Sequence, residues 1–221
     1  MAVASLPLLA APALAHHPLG GSTPATFSEG LLSGIGHPIL GFDHLAFVIA
    51  IGLIAATLRT RHALVMPLAY LGAMAGGLLL HLGGVMLPAA EWVIMISVMV
   101  LGFLVARGRG LTPVALGGLF AVAGLFHGFA FAGSILGAEP TPIVAYVIGL
   151  VATQYAIALA AFGITRALTS SELGVSPTGV RVAGGVVAGV GLAFFLETVE
   201  GAVFGEMMES ASLVLSLPVI G

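Results

Sequence analysis

Long apolar stretches alternate with short polar connections along most of this chain. There are six such stretches, and most approach the ~20 residues that a helix needs to cross the hydrocarbon core of a bilayer. The alternation of apolar and polar residues that is typical of barrel strands is not visible. The apolar stretches are 29–58, 63–87, 91–106, 111–132, 141–167 and 180–204. The pattern therefore predicts an all-α fold, a polytopic membrane bundle of six transmembrane helices.

The first apolar stretch contains a helix breaker and three ionisable side chains. Its sequence there is Gly36-His37-Pro38-Ile39-Leu40-Gly41-Phe42-Asp43-His44. Proline lacks a backbone N–H and clashes with the preceding turn unless it lies in the first turn of a helix. We therefore expect the first transmembrane helix to be interrupted at His37-Pro38. Such a break would let His37 swing towards Asp43 and His44.

The composition supports a membrane protein and excludes several chemistries. Of the 221 residues, 59% are hydrophobic and only 7% are charged, whereas about 25% are charged in a soluble domain. Cysteine is absent, which excludes disulfides, thiolate metal sites and iron–sulfur clusters. Lysine is also absent, which excludes a Schiff base with retinal or pyridoxal phosphate. We expect the protein to lie in the lipid bilayer. We also expect it to have no prosthetic group and no nucleic-acid partner.

The basic residues predict the orientation of the bundle. All of them fall in three connections, as Arg59, Arg61, Arg107, Arg109, Arg166 and Arg181. By the positive-inside rule these connections face the cytoplasm. The alternate connections carry Glu91 and Glu139. The chain is thus predicted to lie in a bacterial cytoplasmic membrane with both termini outside.

The N-terminus has features of a secretory signal. Residues 1–15 are an apolar run that ends in Ala13-Leu14-Ala15, the A-x-A form of a signal-peptidase site. The predicted division of the chain is a cleaved signal peptide at 1–15, an external segment at 16–28, a six-helix transmembrane domain at 29–204 and an external tail at 205–221. After cleavage, His16 and His17 either chelate a divalent cation together with the free amine or form part of a solvated tail.

Six ionisable residues from four helices share one depth in the predicted bundle. They lie in the outer parts of their helices and are His37, Asp43, His44, His81, His127 and Glu197. Ionisable side chains are costly in lipid and are expected to face the bundle interior or a water-filled path. Imidazole and carboxylate ligands suit Ni, Co, Zn or Cu. These residues predict a metal site that is reached from outside; the alternative is that Asp43 and His44 only hydrogen-bond to neighbouring helices.

Other polar and aromatic side chains have structural interpretations. We expect Gln154 to form a hydrogen bond between helices, and the alternative is that it continues a polar path inward. Trp92 and Tyr146 lie near the outer ends of their helices and are expected to be interfacial anchors. His62 follows Arg61 in a cytoplasmic turn and is expected to be solvated.

The stretch from Gly36 to His44 resembles the HPxxGxDH signature of the HupE/UreJ family of nickel and cobalt permeases. The resemblance continues in His127-Gly128-Phe129-Ala130 and in Gly137-Ala138-Glu139-Pro140-Thr141-Pro142, and it covers essentially the mature chain. It implies six-helix secondary transport of Ni²⁺ or Co²⁺, with Zn²⁺ and Cu²⁺ less favoured. His37, Asp43 and His44 would handle the metal, with His127 as a fourth residue. Where many members have further His or Glu residues, this chain has Phe129, Phe131, Gly133 and Ser134.

Two other functional classes compete with a permease. A pair of intramembrane histidines such as His81 and His127 is able to ligate haem axially, which would make the chain a redox membrane protein. An intramembrane metallohydrolase has less support, because no HExxH motif is present and Asp43 has no evident partner base. A permease needs ligands that exchange readily, and His and Asp without thiolates provide them.

Overall fold

The regular structure of the chain is helical throughout the part that is described. The computed structural model describes residues 22–108, 111–170 and 177–215. The helices in these ranges are α1 Phe27–Leu40, α2 Phe42–Ala55, α3 Thr60–Leu82, α4 Ala90–Arg107, α5 Pro113–Phe131, α6 Pro140–Ser170 and α7 Pro177–Leu215, with a 3-10 helix at Ala132–Ile135. No strand occurs in them, which confirms the predicted all-α fold.

The helices provide the predicted membrane spans. Five segments are long and apolar enough to cross a bilayer, namely Thr60–Leu82, Ala90–Arg107, Pro113–Ile135, Pro140–Ser170 and Thr178–Phe204. Helices α1 and α2 meet the same requirement together, as a pair that is bent by 77°, and counting this pair as one span gives six. Helix α7 continues to Leu215, into the segment predicted as an external tail. The predicted signal peptide at 1–15 lies outside the described residues.

The first span breaks at Gly41 and not at His37-Pro38. Pro38 lies inside α1, whose last turn still closes with a hydrogen bond of 3.0 Å from the N–H of Gly41 to the carbonyl of His37. The fixed φ of proline is compatible with a helix, so Pro38 removes only its own N–H. Gly41 then has extended backbone (φ −79°, ψ 97°), and α2 begins behind it. The glycine therefore provides the change of direction, three residues after the proline.

Helix α2 lies at the centre of the bundle. It contacts α3, α4, α6 and α7 as well as α1. From Ala46 to Ala55 nearly every side chain is buried. A helix that is apolar on all sides belongs in a core, and the only ionisable residues of α2 are Asp43 and His44 in its first turn. The sequence of α2 thus places two polar side chains in the first turn of the central helix.

Glycines bring the other helices together in close pairs. A Cβ atom added to Gly34 would lie 2.1 Å from the carbonyl oxygen of Tyr146, so α1 and α6 touch backbone to backbone. A Cβ atom on Gly128 would lie 1.9 Å from the carbonyl oxygen of Met74, and α3 and α5 touch in the same way. Small residues allow such approach between membrane helices. These two contacts fix the positions of two nearby functional candidates, His37 on α1 and His127 on α5.

Arginines mark one end of the bundle. The Nε atom of Arg166 donates to the carbonyl of Ala56 at 3.1 Å, and a terminal nitrogen of the same side chain donates to the carbonyl of Leu58. The Nε atom of Arg181 donates to the carbonyl of Ala106 at 2.8 Å. These bonds cap carbonyls at or just beyond the C-terminal ends of α2 and α4. We call this the arginine end and the opposite end the histidine end.

Candidate functional site

A cleft of about 590 Å³ lies at the histidine end of the bundle. It is lined by His37, Asp43, His44, His81, Ala89, Ala90, Glu91, Trp92, Phe129, Ala130, Gly133 and Ser134. Four of the residues predicted to handle metal are therefore in one cavity, although they come from α1, α2 and α3. Glu91 also lines the cleft, whereas the sequence placed it only in a connection between helices.

His37 is held by hydroxyl groups from two other elements. Its Nδ1 atom is 2.8 Å from the hydroxyl of Tyr146 on α6 and 3.3 Å from the hydroxyl of Ser134 in the 3-10 helix. The hydroxyls of Tyr146 and Ser134 are also 3.1 and 3.0 Å from the carbonyl oxygen of Phe131 and 3.1 Å from each other. Tyr146 is fully buried, so the prediction of an interfacial anchor is wrong. The close approach at Gly34 explains its position, since it brings α6 against the last turn of α1.

His44 and His127 form a buried pair across α2 and α5. Their Nδ1 atoms are 2.9 Å apart. The other ring nitrogen of His127, Nε2, is 3.1 Å from the hydroxyl of Ser97 on α4. His127 is 0% exposed and His44 is 7% exposed. Both nitrogens of His127 thus contact protein groups, whereas His44 lines the cleft.

Asp43 lies beside His44 at the start of α2. One of its carboxylate oxygens is 3.8 Å from the Nε2 atom of His44. About 20% of the Asp43 side chain is exposed, against 9% for that of His44. The carboxylate is therefore the more accessible of the two groups. The first turn of a helix stabilises a negative charge through the helix dipole. The site thus offers a cation a carboxylate and an imidazole from adjacent residues.

Gly41 makes room for these side chains. A Cβ atom at this position would lie 2.8 Å from Cδ2 of His44 and 3.3 Å from a carboxylate oxygen of Asp43. Any larger residue would have to displace the imidazole. The lack of a side chain at Gly41 therefore leaves the space that His44 occupies, whereas its extended backbone is a conformation that other residues also adopt.

Aromatic rings pack against the histidines of the site. The ring of Phe131 lies 4.9 Å from that of His37 and 4.2 Å from that of His44. Phe47 lies 4.5 Å from the ring of His127 and packs on Tyr70 at 5.2 Å. Phe47, Phe131 and Tyr70 are at most 1% exposed. Because α2 runs towards the arginine end, Phe47 lies deeper than His44 and, together with Tyr70, forms a packed apolar surface on the inner side of the histidines.

Gln154 lies deeper in the bundle. It accepts a hydrogen bond of 2.8 Å from the hydroxyl of Tyr70, which joins α6 to α3. Its amide nitrogen is 2.8 Å from the sulfur of Met74. The expected hydrogen bond between helices is confirmed.

His81 and Glu197 stand apart from the buried histidines. The Nδ1 atom of His81 is 2.6 Å from the carbonyl of Phe129, and its ring stacks on that of Phe129 at 4.0 Å. His81 is nevertheless part of the cleft wall. Glu197 is exposed on α7 and is not among the residues that line the cleft. His16 and His17 lie outside the described residues.

The ionisable side chains do not form a closed metal cage. Among the residues that the structure describes, no group of three or more His, Asp or Glu side chains is arranged to hold a metal ion. The rings of His37 and His44 are 5.9 Å apart between centroids.

The arginine end holds a second cavity of about 410 Å³. Its wall is largely apolar, with residues such as Leu53, Val105 and Leu116, and it also contains Arg107 and Arg181. Guanidinium groups remain charged and repel a dication. This cavity is therefore a poor candidate for a cation site.

The haem alternative finds little support in the geometry of the histidines. Haem iron would need a ring nitrogen from each axial ligand. Nδ1 and Nε2 of His127 are already in contact with His44 and Ser97, and Nδ1 of His81 contacts the carbonyl of Phe129. His127 is also fully buried among Phe47 and Tyr70.

Sequence reasoning missed the residues that hold the histidines. Ser97, Tyr146 and Ser134 all bond to imidazoles. A serine or tyrosine in an apolar helix gives little signal of its own, because Ser often bonds to a carbonyl of its own helix. The one available clue is that Ser97 is the only hydroxyl residue in α4.

Comparison with known proteins agrees with the motifs of the cleft. The model of the family described as HupE / UreJ protein matches residues 4–194. The chain is 34% identical over 194 residues to Protein HupE of Rhizobium leguminosarum bv. viciae, and the match covers 87% of this chain and 95% of that protein. No solved structure has a significant match to the chain.

Proposed function

The chain belongs to the HupE/UreJ family, and from this premise we propose that it is a permease that carries Ni²⁺ or Co²⁺ into the cell. The observation that carries the proposal is the position of His37, Asp43 and His44 in one cleft at the histidine end. The arginine end would face the cytoplasm according to the positive-inside rule. The cleft would then open to the outside, where the ion enters.

The ligands that we propose are Asp43, His44 and His37. Neutral imidazole and carboxylate suit Ni²⁺ and Co²⁺, and without thiolates they leave the ion exchangeable. The charge of Asp43 offsets part of the charge of the dication as water is removed. Asp43 and His44 are adjacent and receive the ion first, and a shift at Gly41 would then bring His37 closer. Water would complete the coordination.

His127 has a supporting role in this proposal. Because both of its ring nitrogens contact protein groups, it holds His44 in place and does not itself reach the ion. Glu91 and His81 lie on the wall of the cleft and would be passed by the entering ion. Glu197, which is exposed on α7, has no role here.

Release to the inside requires the floor of the site to open. Phe47 follows His44 along α2 towards the arginine end and packs on Tyr70, and these two buried rings would block the way inward. The 77° bend between α1 and α2 gives the central helix a hinge at Gly41. Movement of α2 about this hinge would shift Phe47 together with Asp43 and His44, and so couple release of the ion to opening of the path.

Uptake of radioactive Ni²⁺ and Co²⁺ in whole cells tests the proposal. We expect Asp43→Asn, His44→Ala and His37→Ala to reduce uptake to background at normal membrane levels of the protein. His62→Ala, at an exposed position at the arginine end, is the control and should transport normally. Competition by Ni, Co, Zn, Mn and Cu salts identifies the preferred ion. Near-normal uptake by Asp43→Asn would exclude this stretch as the metal site.

A further inference from the structure

The cavity at the arginine end is unsuited to a cation, but it combines an apolar interior with a cationic rim. We propose that it binds one anionic phospholipid of the adjoining leaflet, with an acyl chain between the helices and the phosphate at Arg107 and Arg181. The cavity shares no lining residue with the cleft at the histidine end, so the proposal does not depend on which ion the protein carries.

The interior of the cavity is apolar and lies among five helices. Leu53 of α2, Val105 of α4 and Leu116 of α5 line it and are at most 7% exposed. Thr165 of α6 and Val180 of α7 complete the set of helices. The volume of about 410 Å³ falls within the range of roughly 300–1,000 Å³ that is usual for pockets of drug-sized ligands. A glycerol phosphate with the upper part of one acyl chain is a group of this size.

The rim of the cavity is cationic. Arg107 and Arg181 line it and are exposed, in contrast to the interior. Of the described arginines, Arg166 and Arg181 donate to backbone carbonyls, so Arg107 is not used in this way. The bond from Arg181 to the carbonyl of Ala106 takes one of its five N–H donors and holds the group beside the end of α4. Guanidinium groups bind phosphate through two parallel hydrogen bonds, which makes this rim suitable for a phosphate.

The other polar groups of the cavity also favour an anion over a cation. None of the described residues that line it is acidic. The hydroxyl of Thr57 donates to the carbonyl of Ile54 at 2.7 Å, and that of Thr169 donates to the carbonyl of Thr165 at 2.8 Å. Because a hydroxyl has only one proton, the charged donors that remain for a phosphate are the two guanidinium groups. In the sequence, Glu172 is the one acidic residue of the connections at this end, and it lies outside the described residues.

The depth of the cavity distinguishes a lipid from a soluble anion. The span Ala90–Arg107 ends at the rim, and the span Thr178–Phe204 begins beside it. Phospholipid headgroups lie at this depth, at the border of the hydrocarbon core, and basic pockets between membrane helices bind anionic headgroups there. Leu104 and Val105 precede Arg107 on α4, which runs towards this end, so the apolar wall lies deeper than the charge. A phosphate at the rim thus has apolar space for its chain, which a soluble anion does not use.

One lipid in this cavity would touch the ends of five helices at once. Among them is the end of the central helix α2, through Leu53 and Ile54. A ligand that binds the folded protein and not the unfolded chain stabilises the folded state. The bound lipid is therefore a part of the packing at the arginine end that the chain itself does not supply.

Native mass spectrometry tests the site on the full-length protein, purified in a neutral detergent and freed of lipid. We expect a titration with phosphatidylglycerol to saturate at one lipid per chain and to raise the midpoint of thermal unfolding. Phosphatidylcholine with the same chains carries a compensating ammonium group and should bind about 5-fold more weakly or worse. The probe sn-glycerol 3-phosphate, which has no chains, should not compete. Equal binding of the two lipids would overturn the proposal, as would competition by sn-glycerol 3-phosphate.

Matched variants separate the cavity from general effects of charge and packing. Arg107→Gln should weaken phosphatidylglycerol binding by about 5-fold, the effect of one arginine on an anionic lipid, whereas Arg61→Gln, which is exposed at the same end and outside the cavity, should not. Val180→Trp fills the interior and should abolish saturable binding. Val182→Trp, at a position on α7 that is 60% exposed, should bind normally.

The midpoint of thermal unfolding without lipid shows whether each of these variants is folded. Unchanged binding in Arg107→Gln would overturn the assignment of the rim. Equal losses in each variant and its control would overturn the proposal as a whole, because the lipid would then be held by the general charge and surface of the protein.

Discussion

The Nδ1 atoms of His44 and His127 lie 2.9 Å apart, so one hydrogen bond joins the two rings across α2 and α5. Only His44 lines the cleft, whereas His127 is fully buried. Two histidines that looked equivalent in the sequence therefore have different places, one as a candidate ligand and the other as its support.

This difference predicts unequal effects of removing the two rings. His44→Ala should abolish saturable Ni²⁺ binding by the purified protein. His127→Ala should leave one site that still saturates, with an affinity lower by about 10- to 100-fold, because it removes only the group that orients the ligand. Equilibrium dialysis with Ni²⁺ measures both values. Equal and complete loss in the two variants would make His127 a direct ligand.

Gly41→Ala should impair the site without unfolding the protein. The backbone at Gly41 has φ −79°, which alanine adopts easily, but the added Cβ atom would lie 2.8 Å from Cδ2 of His44. We expect Ni²⁺ affinity to fall by about 10-fold or more because the ligand is displaced. Gly72→Ala on α3 is the control, since nothing lies within 4 Å of its Cβ position. Equal affinities in the two variants would contradict the steric role of Gly41.

Gly128→Ala should destabilise the bundle. Its Cβ atom would lie 1.9 Å from the carbonyl oxygen of Met74, and backbone atoms are unable to yield without separating α3 from α5. Overpacking of this kind costs about 1–3 kcal/mol or more. Thermal unfolding of the purified protein should show a lower midpoint than for Gly118→Ala, which is on the same helix with open space around its Cβ position. A midpoint equal to that of Gly118→Ala would contradict the close contact between Gly128 and the backbone of Met74.

The orientation of the bundle is open to a direct test. Reporter fusions in the connections 56–59, 108–112 and 171–176 should all report a cytoplasmic location, because these connections adjoin the arginine end. A fusion at Glu139, between α5 and α6, should report the outside. A cytoplasmic signal at Glu139 would invert the bundle and place the cleft on the inner side of the membrane.

The sequence by itself determined the properties that depend on neighbouring residues in the chain. A run of about 20 apolar residues requires a membrane helix whatever surrounds it, and so the spans of the described residues agree with those predicted. The stretch from Gly36 to His44 likewise carries the three proposed ligands within a few residues of one another. Their assembly on adjoining turns needed no knowledge of the fold.

Only the tertiary structure decided which groups hold the imidazoles. His37 meets Tyr146 across 109 positions, and His127 meets Ser97 across 30. Such contacts depend on how closely the helices pack, which is set by glycines such as Gly34 and not by the hydroxyl residues themselves. The same cause explains why Tyr146 is buried and not an anchor at the membrane surface. Hydrophobicity assigns a residue to the membrane, but the partner that it meets there is decided by the packing of the other helices.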